Sequence, residues 1–333
     1  MKVIIPAAGI GTRLQPLTNK IPKVLVNVAG KPMMFHFIDE LIKNQTIDSI
    51  IIIIGYLGEQ IVEAVNKHYV NSGVKFEFVE QKEMLGLGHA VYHAKNYTGS
   101  EPVLIVLGDT IFEIDVNAFL DSQYSVIGVK DVEDIRRWGI VETENGFITR
   151  MIEKPSGPEI TKSKKAIAGI YLIQDAAKLF NAVEYLINNN IRTKNEFQIT
   201  DALQKMVNDG EKMVTYHIQN WFDCGKPETL LSTNQYILTR DFSDIKSGEF
   251  PGSKIIIPVF IGKDCIIENS EVGPNVTVGD NVTIKNSKIT NSLIYDKSNT
   301  ENASLDEVIL GIGEYIDGEH NKIIKADGLE AGF

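Results

Sequence analysis

The chain has little cysteine: Cys224 and Cys265 are the only two, and neither belongs to a C-x-x-C pair. That argues against a disulfide scaffold or a zinc knuckle, and makes a reducing cytoplasm the expected setting. Long apolar runs are missing too. The most apolar stretch is "SIIIIIGY" (49–56), whereas a bilayer span needs about 20 such residues. The opening "MKVIIPAAG" has one lysine and a short apolar run stopped by Pro6, too short for a signal peptide. Positive charge is also in deficit, with 33 Lys and Arg against 44 Asp and Glu and a net charge of −11. Neither nucleic acid nor an anionic membrane is therefore the expected partner.

What remains is an ordinary globular composition, 43% hydrophobic and 23% charged over 333 residues, which is more than one core usually serves. The first half alternates strand and helix patterns. Strands are predicted at 2–5, 49–54, 74–80 and 103–108, and helices at 31–44, 58–69 and 88–97. Near-continuous apolar strands separated by helices predict a parallel α/β sheet covered on both faces, Rossmann-like in its layering. Ligands of such sheets bind beyond the carboxyl ends of the strands, which selects the loops after residues 5, 80 and 108. From 124 to 173 the strands crowd together and predict an added, partly antiparallel region. Helices follow at 175–189, 198–208 and 227–240.

The last eighty or so residues have another rhythm. Ile255, Ile261 and Ile267 are six apart, and after a slip so are Val272, Val278 and Ile284, with Gly262, Gly273 and Gly279 each following such a residue. A hexapeptide period predicts a parallel β-helix with room for three or four coils. The expected domains are 1–240, a linker at 241–253 and the coil domain at 254–325.

Charge is unevenly placed in the opening segment. Lys2, Arg13, Lys20, Lys23 and Lys31 occur before the first acidic residue, Asp39. They surround the G-x-G of Gly9 and Gly11, which lacks the third glycine of a dinucleotide fingerprint because Leu14 stands there. It lacks the Gly-Lys-Ser/Thr of a P-loop as well. Glycines let backbone amides approach an anion, and an arginine fork matches phosphate. The loop is expected to bind a polyphosphate.

"GIGTRLQPLTNKIPKVLVNVAGKP" (9–32) resembles the signature of the sugar-1-phosphate nucleotidylyltransferases, above all the glucose-1-phosphate thymidylyl- and uridylyltransferases. "LGLGHAV" (85–91), "LGDT" (107–110), "WGIVE" (138–142), "EKP" (153–155), "AGIYL" (168–172), "NEFQITD" (195–201) and "WFDCGKPETLL" (221–231) continue the resemblance in order. The tail resembles the left-handed β-helix that some members carry. The resemblance implies transfer of a nucleotidyl group from dTTP or UTP to a sugar-1-phosphate. Ala8, Gly9, Gly11, Thr12 and Arg13 would bind the nucleotide, with Gln81 and Gly86 at its base. Lys23 would sit near the phosphates, and Asp109 and Asp223 would hold Mg²⁺. Gly139, Glu153, Lys154, Gly169 and Glu196 would receive the sugar phosphate.

The wording leaves dTTP and UTP both open, and glucose against another hexose as well. His89 and His93 have metal-ligand spacing, but no acidic or cysteine partner supports them, and Trp221 reads as packing. With His320 its one histidine, the tail is expected to lack acyltransferase activity and to make subunit contacts in a homo-oligomer. A non-catalytic nucleotide-sugar-binding subunit is the alternative, and an oxidoreductase a distant third. Retention of Arg13, Lys23, Asp109, Lys154 and Asp223 together favours the enzyme.

Overall fold

The computed structural model describes residues 1–242 and 250–333. Residues 243–249, most of the expected 241–253 linker, lie outside the described residues. By contacts the chain divides into two units. The first comprises Met1–Gly9 with Phe37–Trp221, the second Ile10–His36 with Phe222–Phe333.

Unit 1 is built on a nine-stranded sheet. Strand Lys2–Pro6 lies between Ser49–Ile54 and Val103–Val106, parallel to both, and Lys75–Glu80 extends the sheet in the same sense. Ile50, Ile51, Ile52 and Ile53 are all 0% exposed, so both faces of that strand are covered; this is why the sequence shows a continuous apolar run rather than alternation. Strand Lys165–Ile173 runs antiparallel to Val103–Val106, and Ser125–Asp131 runs antiparallel to Lys165–Ile173. Gly139–Glu144 and Phe147–Glu153 complete the added antiparallel part. On one face Ile4, Ile51, Ile105 and Ile127 pack with Val91, Leu179, Phe180 and Leu203, carried by helices Leu87–Tyr92, Ala176–Asn188 and Ile199–Asn208. Helix Ala176–Asn188 is started by Asp175, whose carboxylate accepts from the Lys178 amide at 3.2 Å.

Three local expectations shift. The helix expected from 31 begins at Met33, because Lys31–Pro32 pairs with Asn27–Val28 across a turn in which Ala29 and Gly30 both have positive φ. The helix expected over 88–97 ends at Tyr92 and resumes as one 3₁₀ turn at Lys95–Tyr97. Strand Met213–His217, parallel to Ser125–Asp131, was not expected at all. Its residues MVTYH mix polar and apolar types and are mostly half-buried, so they carry no run that marks a strand.

Unit 2 joins the loop segment 10–36 and helix Pro227–Asp241 to the coiled tail. At its centre lies the Asn234 amide, 1% exposed. Its Oδ1 accepts from the Ala29 amide at 2.9 Å and the Thr277 hydroxyl at 2.6 Å, while its Nδ2 donates to the Asn275 carbonyl at 3.3 Å. The Tyr295 hydroxyl donates to the Asn27 carbonyl at 2.9 Å, and Lys20 pairs with Asp327 at 2.7 Å. Without a side chain, Gly30 lets the Phe260 ring close over it, since a Cβ there would lie 2.4 Å from the ring.

The tail is a parallel β-helix of the left-handed, hexapeptide kind. Its strands stack five deep on two faces and four deep on the third, more than the three or four coils expected. The extra depth comes from coils shorter than three full hexapeptides. Lys254 pairs with Glu271, seventeen residues on; Leu293 pairs with Ile309, sixteen on; Ser304 pairs with Glu319, fifteen on. The slip between Ile267 and Val272 is thus one coil closing early. Leu329–Gly332 then turns back antiparallel on Tyr315–Ala326.

Corners are made by left-handed asparagines. Asn269, Asn286 and Asn302 have φ of 49°, 47° and 52°, and the Asn286 amide donates to Asn302 Oδ1 at 3.3 Å. At the next position Ser253, Ser270 and Ser287 each accept, through Oγ, the amide of the coil above at 3.0–3.1 Å. Asparagine tolerates this conformation better than other residues with a Cβ. Asn286→Val is therefore expected to destabilise the chain by about 2 kcal/mol through backbone strain and the lost amide bond, and Asn286→Gly by much less. Urea unfolding midpoints of the two variants against the parent check this.

Candidate functional site

The first cluster lies beyond the carboxyl end of strand Lys75–Glu80. The Gln81 amide N–H donates to the Ile54 carbonyl at 2.8 Å, which fixes the residue at the sheet edge, and Gln81 is 4% exposed. Its side-chain nitrogen is 3.4 Å from the Gly86 carbonyl and 3.1 Å from His89 Nδ1. Gly86 has φ +110°, and a Cβ on it would meet Glu196 Cβ at 2.7 Å and the Phe197 carbonyl at 2.8 Å. The pairing of Gly88 N–H with Phe197 O and of Phe197 N–H with Leu85 O, both 2.8 Å, stitches this loop to residues 196–197. Gln81, Gly86 and Glu196, expected from the sequence, therefore share one rim. Glu196 is held by a two-residue turn at Lys194 and Asn195, both with positive φ, and accepts from Gln198 at 2.8 Å.

The second cluster continues from the first through the start of helix Ile199–Asn208. Thr200 Oγ1 donates to Glu153 Oε2 at 2.7 Å, and Lys154 Nζ lies 3.2 Å from Glu153 Oε1. A Cβ on Gly139 would lie 3.1 Å from Thr200 Oγ1 and 3.2 Å from Glu153 Oε2. Lys154 has φ +45°, an uncommon conformation for a residue with a Cβ, and its amide donates to the Trp138 carbonyl at 3.0 Å. The chain is thus turned sharply at the end of strand Phe147–Glu153, as strained backbone often is at working sites. Gly169, φ +91°, sits where the register with Ser125–Asp131 slips, and its carbonyl accepts from the Leu107 amide at 2.9 Å. Asp109 follows two residues later, with the Thr110 hydroxyl 3.4 Å from its Oδ1. Trp221 meets Trp138 edge-on at 4.5 Å.

The third cluster belongs to unit 2. Gly11, φ +74°, brings its turn against Lys23; a Cβ there would lie 2.9 Å from Lys23 Cβ. Thr18 Oγ1 donates to the Gly11 carbonyl at 2.9 Å. Thr12 and Arg13 begin a 3₁₀ turn directly after Gly11. Arg13 reaches Gly225: a Cβ on that glycine would lie 2.7 Å from Arg13 Nη2 and 2.8 Å from Asp223 Oδ1. Asp223 Oδ1 accepts from the Gly225 amide at 3.1 Å. Lys23 is 9% exposed, unlike Lys20, whose side chain is 69% exposed beside Asp327. Ala8 and Gly9 lie in unit 1, where the Ala8 carbonyl accepts from the Tyr56 amide at 3.2 Å.

Residues 2–240 match the family described as nucleotidyl transferase. The bifunctional protein GlmU of Methanocaldococcus jannaschii is 35% identical over 82% of this chain and 61% of its own length. A glucose-1-phosphate thymidylyltransferase of Streptomyces griseus is 28% identical over 88% of this chain and 87% of its own. A solved UDP-glucose pyrophosphorylase, complexed with UDP-glucose, superposes with a TM-score of 0.61 at 26% identity, covering 72% of this chain and 98% of that one. The chain spans less than two thirds of the GlmU relatives it matches.

Two residues of the second cluster escaped the sequence reading, Thr200 and Asp201, although both lie inside "NEFQITD". Only the fold brings them to Glu153. Asp201 Oδ2 is buried without a hydrogen-bond partner. Burial raises the Asp201 carboxyl above its ordinary value; a hydrogen bond from Thr193 opposes this and the Glu153 charge adds to it. A raised carboxyl binds its proton more tightly in the folded state. It therefore penalises folding above its folded value and not below the ordinary value of 3.8. Asp201→Asn is expected to raise the urea midpoint at pH 7, with the gain vanishing as pH falls below that value. A lower midpoint at pH 7 would show that the carboxylate stabilises the fold.

Proposed function

The chain belongs to the nucleotidyl transferase family, and from that premise we propose that it transfers a nucleotidyl group from a pyrimidine nucleoside triphosphate to a sugar-1-phosphate. Glucose-1-phosphate with dTTP is the preferred pair, and UTP the alternative nucleotide. The observation that carries the reading is the enclosure of Lys23 against the Gly11 turn. The positive-φ turn at Gly11 presents backbone amides beside Lys23, with Thr12 and Arg13 directly after it, and a triphosphate is an anion that such amides and cations suit.

In this reading the sugar phosphate attacks the α-phosphorus and pyrophosphate leaves. A phosphate monoester with a second pKa of about 6 is mostly ionised at neutral pH, so the attacking oxygen needs no protein base. The work of the chain is to bring two anions together and hold them in line. Ala8, Gly9, Gly11 and Thr12 offer backbone amides, Arg13 steadies the leaving pyrophosphate and Lys23 lies along the phosphates. Lys154 grips the sugar phosphate. Glu153, oriented by Thr200, and Glu196, oriented by Gln198, accept sugar hydroxyl hydrogen bonds beside the backbone of Gly139 and Gly169. Gln81 and Gly86 take the base.

Asp109 and Asp223 offer hard carboxylate oxygens, the donor type that suits Mg²⁺; Cys224, next to Asp223, is a thiol outside any disulfide, buried in the protein. When bound, that ion neutralises phosphate charge. We also propose a cytoplasmic setting, in keeping with a chain of two cysteines, neither in a disulfide; among the described residues no helix is long and apolar enough to cross a membrane. The tail, which exposes Ile257, Ile266, Ile312 and Tyr315, is proposed to mediate self-association; a monomer in sedimentation at micromolar concentration would count against that.

Pyrophosphate release is measured with glucose-1-phosphate and each of dTTP, UTP, CTP, ATP and GTP, with and without Mg²⁺. Metal-dependent release with dTTP or UTP is expected. No release with any of them points to another sugar phosphate or to a binding subunit. Asp109→Asn is expected to leave a folded chain and to raise the barrier by at least about 3 kcal/mol; turnover near that of the parent would remove Asp109 from the metal site.

A further inference from the structure

Gln81 is one member of a chain of hydrogen bonds with a fixed direction. The Gly86 carbonyl, 3.4 Å from the side-chain nitrogen, can only accept. The side of the amide that faces it is therefore NH₂. The same nitrogen is 3.1 Å from His89 Nδ1, so Nδ1 must be the unprotonated ring nitrogen and Nε2 must carry the hydrogen. The imidazole also interacts with the Glu83 backbone, which favours its protonated form.

The ring's surroundings keep it neutral. Burial, the neighbouring His93 and Arg192 all disfavour the imidazolium, Glu83 favours it, and the net shift is downward. His93 lies edge-on to His89 at 4.7 Å and Phe197 flanks it at 6.4 Å. Both hydrogens of the Gln81 NH₂ group are thus committed within the protein. Among the described residues none donates to Gln81 Oε1, and this oxygen is not among the buried atoms lacking a partner. The amide meets a ligand as an acceptor.

Resting on the nucleotidyl-transfer reading above, we propose that His89 is a positioning residue for base selection. By accepting a hydrogen bond from the Gln81 amide, it leaves Oε1 to accept the N3–H of uracil or thymine. Cytosine, of the same ring size, carries a lone pair at N3 and would face that oxygen acceptor to acceptor. A site built to accept a hydrogen bond rejects an analogue that cannot donate it. The sequence shows the pair only as Gln81 and the histidine of "LGLGHAV", eight residues apart, with nothing to mark that they touch.

The test uses the full chain. Equilibrium binding of UTP, dTTP and CTP is measured for the parent, His89→Phe and His89→Asn, and ring ¹⁵N shifts of His89 are recorded without ligand in the parent and in Gln81→Leu. The expected parent prefers UTP or dTTP over CTP and shows the Nε2–H tautomer. His89→Phe, which cannot accept, is expected to lose about tenfold in UTP or dTTP affinity and most of the discrimination against CTP. His89→Asn, whose Oδ1 can accept, is expected to recover most of both. The Nδ1–H tautomer, or an unchanged UTP-to-CTP ratio in His89→Phe beside normal parent binding, would overturn the part given to His89 alone. A parent that binds neither UTP nor dTTP would overturn the reading of the site itself, whatever the tautomer.

Discussion

The second unit depends on one buried amide. Asn234 has no solvent to turn to, and it satisfies itself on three separate pieces of chain: the turn at Ala29, the coil corner at Asn275 and the strand at Thr277. A buried polar group left unpaired costs roughly 1–3 kcal/mol, so the three pieces are held to one arrangement or the amide is stranded. The consequence reaches beyond stability. Segment 10–36, which carries Gly11, Arg13 and Lys23, buries Leu14, Leu17, Val26 and Val28 within this unit. It takes its shape from the tail and from helix Pro227–Asp241, through Asn234, through Tyr295 and through Phe260 over Gly30. The tail is a scaffold for the Gly11 turn as much as an appendage.

In the first unit the sheet does the corresponding work. Its buried strands end together, and the residues that follow them are gathered at one edge without any of them being near another in sequence. Glycine recurs there because backbones approach where side chains would collide: Gly86 lies against Phe197, and Gly169 against Leu107. Polar side chains are then aimed by neighbours. Glu153 is turned by Thr200, Glu196 by Gln198 and Gln81 by His89, so each of the three has a second residue that fixes its direction.

Much of this was legible in the sequence, and the reasons differ by residue. The central parallel strands, Ser49–Ile54 and Val103–Val106, declare themselves as apolar runs because both of their faces are buried. The glycine turn with Arg13 and Lys23 stood out because acids are absent around it. Lys23 was set apart from Lys20 by its place in the family-like motif, and burial separates them as well, Lys20 on the surface against Asp327 and Lys23 packed on Gly11. Thr200 and Asp201 were hidden because their partner, Glu153, is far away along the chain. Strand Met213–His217 was hidden by its mixed, half-buried composition. The coil length was misjudged for a simple reason: apolar spacing was followed along the faces, while the corners are marked by Asn-Ser at 269–270 and again at 286–287.

Those corners shorten as the tail winds, from seventeen residues to sixteen to fifteen. The first two steps are equal, seventeen residues from Ser253 to Ser270 and again to Ser287, so there one turn could be exchanged for the next. The later steps, of sixteen and fifteen, fit only their own neighbours. The stack thus has a direction, interchangeable at its start and unique at its end.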